Sequence, residues 1–346
     1  MRRYYTSACN FFYGKSSLNL IKKKFNLILN GRGDISFSHI KLITRKSEKI
    51  ISINKIKSLP KKIKQQVKKD LINITNKRKN FCNLNFNRTN IMGVLNLTPD
   101  SFSDGGKFNN FVSGYKQALN LKKLGADIID VGGESTRPGS KTVPIAEEWN
   151  RIQKILNKIK SLNTSLDTRK SLIMEKGIKS KVNLINDVSG LDFDENSINV
   201  LKKYKTPFVL QHSQGNPENM QDKPKYKNVI LDIYDFFENK IERLKKFGIN
   251  HNKIIIDPGI GFGKNLKHNL LILRNISLFH SIGFPILLGI SRKRFIKDIS
   301  GINDSKDRLG GTISASLHGI LNGVQIFRVH DVNEVKQSIK VFKQLL

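Results

Sequence analysis

From residue 91 onward, eight short apolar runs alternate with amphipathic stretches, and this alternation constrains the fold more than any other feature of the chain. The runs are IMGVLN (91–96), DIIDVGG (127–133), TSLDT (164–168), NLINDV (183–188), PFVLQH (207–212), KIIIDPG (253–259), PILLGIS (285–291) and VQIFRVH (324–330). Each is short and mostly apolar, the pattern of a strand covered on both faces. The text between them has helical spacing. Ile152, Ile155, Ile159 and Leu162 form one stripe, and Ile233, Phe237, Ile241 and Leu244 form another, with Gly248 as a stop. Eight such units over roughly 250 residues predict a (β/α)8 TIM barrel. A doubly wound open sheet would need a Gly-rich turn after the first strand, and none follows it.

Residues 1–90 read differently, as a small basic α+β module placed before a barrel of residues 91–346. Strand-like text (ISFSHIKLIT, KIISINKI) precedes Pro60 and a helix over 61–78 with Ile63, Val67, Leu71 and Ile74 on one face and mostly Lys opposite. This segment has 22 Lys/Arg against 3 Asp/Glu, a net of +19, and the remainder has 39 against 25, a net of +14; together they make the total of +33. A basic face can bind nucleic acid or acidic lipid. The plainer reading is compositional, because Lys, Asn and Ile are abundant throughout. The first 33 residues carry Arg, Lys and Ser and no acid, as transit peptides do, yet they run directly into strand-like text. No segment has the apolar length to span a bilayer. Two lone cysteines, Cys9 and Cys82, suggest a reducing, cytoplasmic setting and neither a disulfide framework nor a zinc cluster.

The carboxyl ends of the eight predicted strands are all polar. They carry Asn96; Glu134, Ser135, Thr136 and Arg137; Asp167 and Thr168; Asn186 and Asp187; Gln211 and His212; Asp257; Ser291, Arg292 and Lys293; and Arg328, His330 and Asp331. A single Asp after a strand is ordinarily a cap or turn residue. In a barrel, however, these ends meet at one mouth, where active sites are built. Asp167, Asn186 and Asp257 suit a flat heterocycle with N–H edges, because paired N–H···O bonds to a carboxylate are strong and directional. Arg328, His330 and Asn96 suit a phosphate and its Mg2+, which takes few protein oxygens and keeps waters. Arg292 and Lys293 open the segment after the seventh strand, where a helix N-terminus can hold an anion. The stretch DPGIGFGKN is not a Walker loop: Pro258 stands where the first Gly is required, and Asn265 replaces the Ser/Thr. Nor is it a dinucleotide fingerprint, since Lys264 occupies the third Gly position.

Residues 91–346 closely resemble the dihydropteroate synthases, of the pterin-binding (β/α)8 superfamily. The resemblance rests on MGVLNLTPDSFSDGG, IIDVGGESTRPGS, SLDTRK, INDVSG, DPGIGFGKN, GISRKRF and RVHD, in the family's order. NLTPDSFSDGG and GGESTRPG are the most specific. The resemblance implies a transferase of folate biosynthesis that joins 6-hydroxymethyl-7,8-dihydropterin diphosphate to 4-aminobenzoate, giving 7,8-dihydropteroate and pyrophosphate. It implies that Asp167, Asn186, Asp257 and Lys293 hold the pterin, with Gln211 beneath it. Asn96, Arg328 and His330 would hold the diphosphate, Asn96 also on Mg2+. Thr136, Arg137, Pro138 and Phe262 would shape the aminobenzoate pocket, and loops 97–108 and 134–144 would close over the site. The expected catalytic set is Asn96, Asp167, Asp257, Lys293, Arg328 and His330, in a homodimer.

One departure from the pattern is Gln211, where the family often has Met before the His of strand five. The other is the basic extension, which short family members lack. A methyltetrahydrofolate corrinoid methyltransferase shares the barrel and pterin pocket but needs neither the Arg–x–His nor ESTRPG, and both are present. Loss of catalysis with retained pterin binding is countered by the intact ligand set. Specific nucleic-acid binding through residues 1–90 would require a module that the segment lacks.

Overall fold

The computed structural model describes residues 4–98, 111–135, 139–215, 224–249 and 252–346. The extension begins with β1 (Tyr5–Tyr13), α1 (Gly14–Lys22), β2 (Leu27–Leu29), β3 (Arg32–Ile43), β4 (Glu48–Ser52) and α2 (Lys61–Thr75). The barrel follows as β5 (Asn90–Asn96), α3 (Phe111–Leu124), β6 (Ile128–Gly132), α4 (Ile145–Lys158), β7 (Thr164–Asp167), α5 (Ser171–Lys179), β8 (Leu184–Asp187), α6 (Ser197–Tyr204), β9 (Phe208–Gln211), α7 (Val229–Lys246), β10 (Ile254–Asp257), α8 (Leu266–Arg274), β11 (Leu287–Gly289), α9 (Arg294–Ser300), α10 (Leu309–Leu321), β12 (Ile326–Val329) and α11 (Val332–Leu345).

All eight strands read from the sequence form one parallel sheet. β5 to β10 lie side by side in chain order, β12 pairs with β5, and β11 pairs with β12. A parallel bridge between Ile256 and Ile286, with Ile256 N–H donating to the Pro285 carbonyl at 2.9 Å, closes β10 onto β11. The sheet is therefore a barrel, and side chains alternate between its interior and the helix layer. Ile91, Leu95, Ile129, Val131, Leu166, Ile185, Leu210, Ile256 and Phe327 face the helices in the main core. Met92, Ile128, Leu184, Val209, Ile255, Leu287 and Ile326 point inward as an apolar floor. α7 stops at Gly248, whose φ of 92° only glycine adopts readily. α4 ends sooner than the apolar stripe suggests: Ile159 is buried just beyond the helix, and Leu162 is held by a turn to the Ile159 carbonyl.

The boundary expected at residue 90 moves. Leu84 and Phe86 are buried in the floor cluster, and Asn90 is the first residue of β5. The Asn-rich stretch 79–89 has no periodicity and reads as a linker, but its apolar side chains plug the lower end of the barrel. The module proper ends near Arg78. It has its own core, in which Leu29, Ile35, Phe37 and Ile40 of the sheet meet Val67 and Ile74 of α2. β1 lies antiparallel to β3, with Tyr5 opposite Ile43 and Tyr13 opposite Ile35. Thr6 and Ser7 obscure this strand in the sequence. Both hydroxyls are buried but partnered, Thr6 Oγ1 with Asp70 Oδ2 at 2.7 Å and Ser7 Oγ with Ser277 Oγ at 2.9 Å. The module packs on the barrel flank. Tyr5 stands edge-on to Tyr234, ring centroids 5.1 Å apart, and Asn73 and Arg78 donate to the carbonyls of Ser281 and His280.

Candidate active site

The inward-facing parity that builds the floor continues toward the carboxyl ends of the strands, and there the residues turn polar. In the same inward series lie Asn96 on β5, Asp130 and Gly132 on β6, Asp167 on β7, Asn186 on β8, Gln211 on β9, Asp257 on β10, Gly289 on β11 and Arg328 on β12. The register pairs Gly132 with Asn96 and Asp167, Asp167 with Asn186, and Asp257 with Gln211. Two of the positions are glycine. A Cβ built on Gly132 would lie 3.5 Å from Asp167 Cβ and 3.6 Å from Asn96 Oδ1. One on Gly289 would lie 3.7 Å from Lys293 Nζ and 3.8 Å from Asp257 Oδ2. Each glycine thus opens a cradle between polar side chains.

Arg328 organises the charges. Its Nε donates to Asp130 Oδ2 at 2.6 Å and its Nη2 to Asp167 Oδ2 at 2.8 Å, while Asn186 Nδ2 donates to the same Asp130 oxygen at 2.9 Å. Burial alone would weaken the Arg328 charge, but Asp130 and Asp167 hold it protonated. Asp167 is pushed far above the usual carboxylate range by burial, against the pull of Arg328. Asp257 is raised by burial too, with Lys293 opposing, and its Oδ1 accepts from Gly259 N–H at 2.7 Å. Burial lowers Lys293 to about 8, again with Asp257 opposing. Asp130 Oδ1, Asp167 Oδ1 and Asn186 Oδ1 are buried without any hydrogen-bond partner. Such atoms are costly unless a ligand meets them.

The loops supply the remainder. Lys293 Nζ donates to the Ile260 carbonyl and lies 4.5 Å from the centre of the Phe262 ring, forming a cation–π contact. Gln211 Nε2 donates to the Val188 carbonyl at 3.3 Å, so the amide in the family's Met position is partnered rather than stacked free. His330 N–H and Nδ1 both meet Ser291 Oγ, at 3.2 and 3.1 Å. Arg292 differs from the expectation of an anion site: it forms an ion pair with Asp331. Thr136, Arg137 and Pro138, and most of loop 97–108, lie outside the described residues.

The barrel has counterparts among known proteins. The family model for pterin binding enzymes matches residues 92–330. A dihydropteroate synthase of Clostridium beijerinckii is 42% identical over 258 residues, 73% of this chain and 93% of that protein. The solved structure of the Yersinia pestis dihydropteroate synthase, in complex with a sulfonamide drug, superposes with a TM-score of 0.73 at 37% identity, covering 76% of this chain and 96% of that one. The Xanthomonas albilineans dihydropteroate synthase with 4-aminobenzoic acid superposes with a TM-score of 0.70 at 33% identity, covering 76% and 94%. This chain belongs to the dihydropteroate synthase family of pterin-binding enzymes. The family model begins at residue 92, beyond the basic extension.

Two features of this dihydropteroate synthase barrel escaped the sequence reading. Asp130 carries Arg328, and its only signal was a carboxylate in the middle of an apolar strand. The second is a buried network beneath the loop after β6. Lys170 Nζ donates to Glu134 Oε1 at 2.8 Å, to Glu148 Oε2 at 2.5 Å and to the Val143 carbonyl at 2.6 Å. Arg169 Nε donates to Glu134 Oε2 at 2.9 Å and Arg169 Nη2 to Thr142 Oγ1 at 3.0 Å. Burial would raise the Glu134 carboxyl, yet its bonds from Arg169 and Lys170 hold it below the usual range. The network fixes residues 142 and 143 against the barrel. SLDTRK is part of the resemblance, but the pairing of Arg169 and Lys170 with Glu134, Thr142 and Glu148 leaves no local signal.

Proposed function

We propose that this mouth carries out the family's transferase reaction: the pterinylmethyl group of 6-hydroxymethyl-7,8-dihydropterin diphosphate passes to the amino nitrogen of 4-aminobenzoate, and pyrophosphate leaves. The observation that carries the residue assignments is the set of buried, unpartnered oxygens on Asp130, Asp167 and Asn186, gathered around one guanidinium. An aminopyrimidinone ring has N–H donors for such acceptors, and paired N–H···O bonds fix its plane. Asp167, Asn186 and Asp257 hold the donor edge, and Lys293 donates to the ring from the side of Phe262. Arg328 and His330 face the diphosphate and stabilise the negative charge that grows on it. The carboxylates on the other side of the ring share positive charge developing at its exocyclic CH2. The neutral aryl amine attacks that carbon, and its proton is lost to solvent. No covalent enzyme intermediate is required.

The donor set fits a substrate-borne Mg2+. Among the described residues no cluster of three or more His, Cys, Asp or Glu could hold a metal. Asn96, partly exposed at the mouth, offers a single amide oxygen, which suits an ion that keeps waters and phosphate oxygens. Mg2+ bound there would neutralise the leaving diphosphate.

Calorimetric titration with the pterin diphosphate, with and without Mg2+, tests the site. Wild type should bind, Asp257→Ala should lose about tenfold or more in affinity, and Asn96→Ala should lose the Mg2+ dependence. Equal binding by all three would refute the assignment. We propose further that the enzyme is a cytoplasmic homodimer, as the family resemblance and two lone, unpaired cysteines suggest. No helix among the described residues is long and apolar enough to cross a membrane.

A further inference from the structure

We propose that the basic extension is a positioning element of the active site, acting through Arg45. This rests on the reading of Phe262 as part of the aminobenzoate pocket. Arg45 sits in the turn between β3 and β4. Its Nη1 donates to Asp232 Oδ1 at 2.7 Å and its Nη2 to Asp235 Oδ2 at 2.6 Å, both in the first turns of α7. The amino end of α7 lies at the catalytic end of the barrel, because α7 follows β9. The second oxygen of Asp232 accepts the backbone N–H groups of Lys227 and Asn228, at 2.9 and 3.0 Å. One carboxylate therefore ties the extension to the segment that enters α7.

That segment leads directly to the site. Tyr226 Oη donates to the Gly263 carbonyl at 2.8 Å, beside Phe262. The loops after β9 and β10 are pressed together here: a Cβ on Gly263 would lie 2.4 Å from the Gln214 carbonyl oxygen, and Gly263 has a φ of 61°. Lys264 clasps both loops, its Nζ meeting His212 Nδ1 at 3.0 Å and the Phe262 carbonyl at 2.8 Å. Arg45 thus reaches Phe262 through Asp232, Tyr226 and Gly263. The pterin acceptors Asp167, Asn186 and Asp257 lie on strands, outside this chain of contacts, and Lys293, which touches Phe262, is carried by the start of α9.

Arg45 is accordingly a positioning residue for the second substrate. In the full chain, Arg45→Ala should raise the KM for 4-aminobenzoate about fivefold, equivalent to about 1 kcal/mol. kcat and the KM for the pterin diphosphate should stay near wild type. Arg45→Lys, which can reach only one carboxylate, should restore part of the loss. Asn73→Ala removes a different anchor of the same module, the bond to the Ser281 carbonyl. It should lower the Tm without moving either KM. Amide hydrogen exchange supplies a readout independent of turnover: Arg45→Ala should speed exchange at Lys227, Asn228 and the 262–264 loop, and Asn73→Ala should not. Identical kinetics and exchange in the two variants, or a parallel rise of both KM values with falling Tm, would overturn the proposal. Absence of turnover in wild type would instead overturn the functional reading, with the exchange result still deciding the role of Arg45.

Discussion

The barrel interior has two levels, two residues apart on β8, β9, β10 and β12. At the floor, Met92, Ile128, Leu184, Val209, Ile255, Leu287 and Ile326 are at most 1% exposed and wholly apolar, and Phe86 closes the end. At the mouth, Asp167, Asn186, Gln211 and Asp257 are nearly as buried, at 4% or less, but all are polar. Strand geometry does not require this change, since parity and register are continuous between the levels. Each unpartnered buried oxygen at the mouth costs about 1–3 kcal/mol. The floor holds the barrel together, and the mouth tolerates a stability cost that a ligand offsets.

The sharpest way to break that comparison is to exchange the expected losses. Asp257→Asn, which keeps an acceptor for the Gly259 N–H, should lower kcat/KM for the pterin diphosphate by about 10²–10³-fold, with a Tm close to wild type in a melting experiment. Phe86→Ala should do the reverse, destabilising by about 3–5 kcal/mol in urea titration with KM values unchanged where the protein is folded. Arg328→Met leaves two buried carboxylates without their cation and should cost about 3 kcal/mol. Adding Asp130→Asn should recover much of that stability but none of the activity, which would separate burial cost from chemistry. A smaller effect is expected from pH. As pH rises through about 8, Lys293 loses the proton it donates to the ring, so kcat/KM should fall above that value. Lys293→Arg should remove that alkaline limb, at a reduced maximum. Gln211→Met should change the KM for the pterin diphosphate least, by about threefold or less, because the amide it removes is bonded to the Val188 carbonyl.

The strands were legible because barrel burial on both faces leaves a continuous apolar run, and all eight runs became β5 to β12. The polar mouth was legible because carboxyl ends of barrel strands converge. Asp130 was not, since one acid within a run looks like a strand defect until Arg328, two strands away around the barrel, is seen to pair with it. Lys170 and Arg169 were hidden for a different reason: their partners Glu134, Thr142 and Glu148 are distant enough in sequence that only the fold brings them together. The extension was read as basic text, yet its helix α2 and strands β3 and β4 emerged near their expected places. Its contact with α7 through Arg45 depends on tertiary placement and leaves no local signal.

Pyrophosphate release by the purified protein tests the central claim most directly, with pterin diphosphate, Mg2+ and 4-aminobenzoate each omitted in turn and Asp257→Ala run alongside. The account predicts release only when all three are present, with 7,8-dihydropteroate as the matching product, and near-complete loss in the variant. Release without 4-aminobenzoate, or full activity in Asp257→Ala, would contradict it.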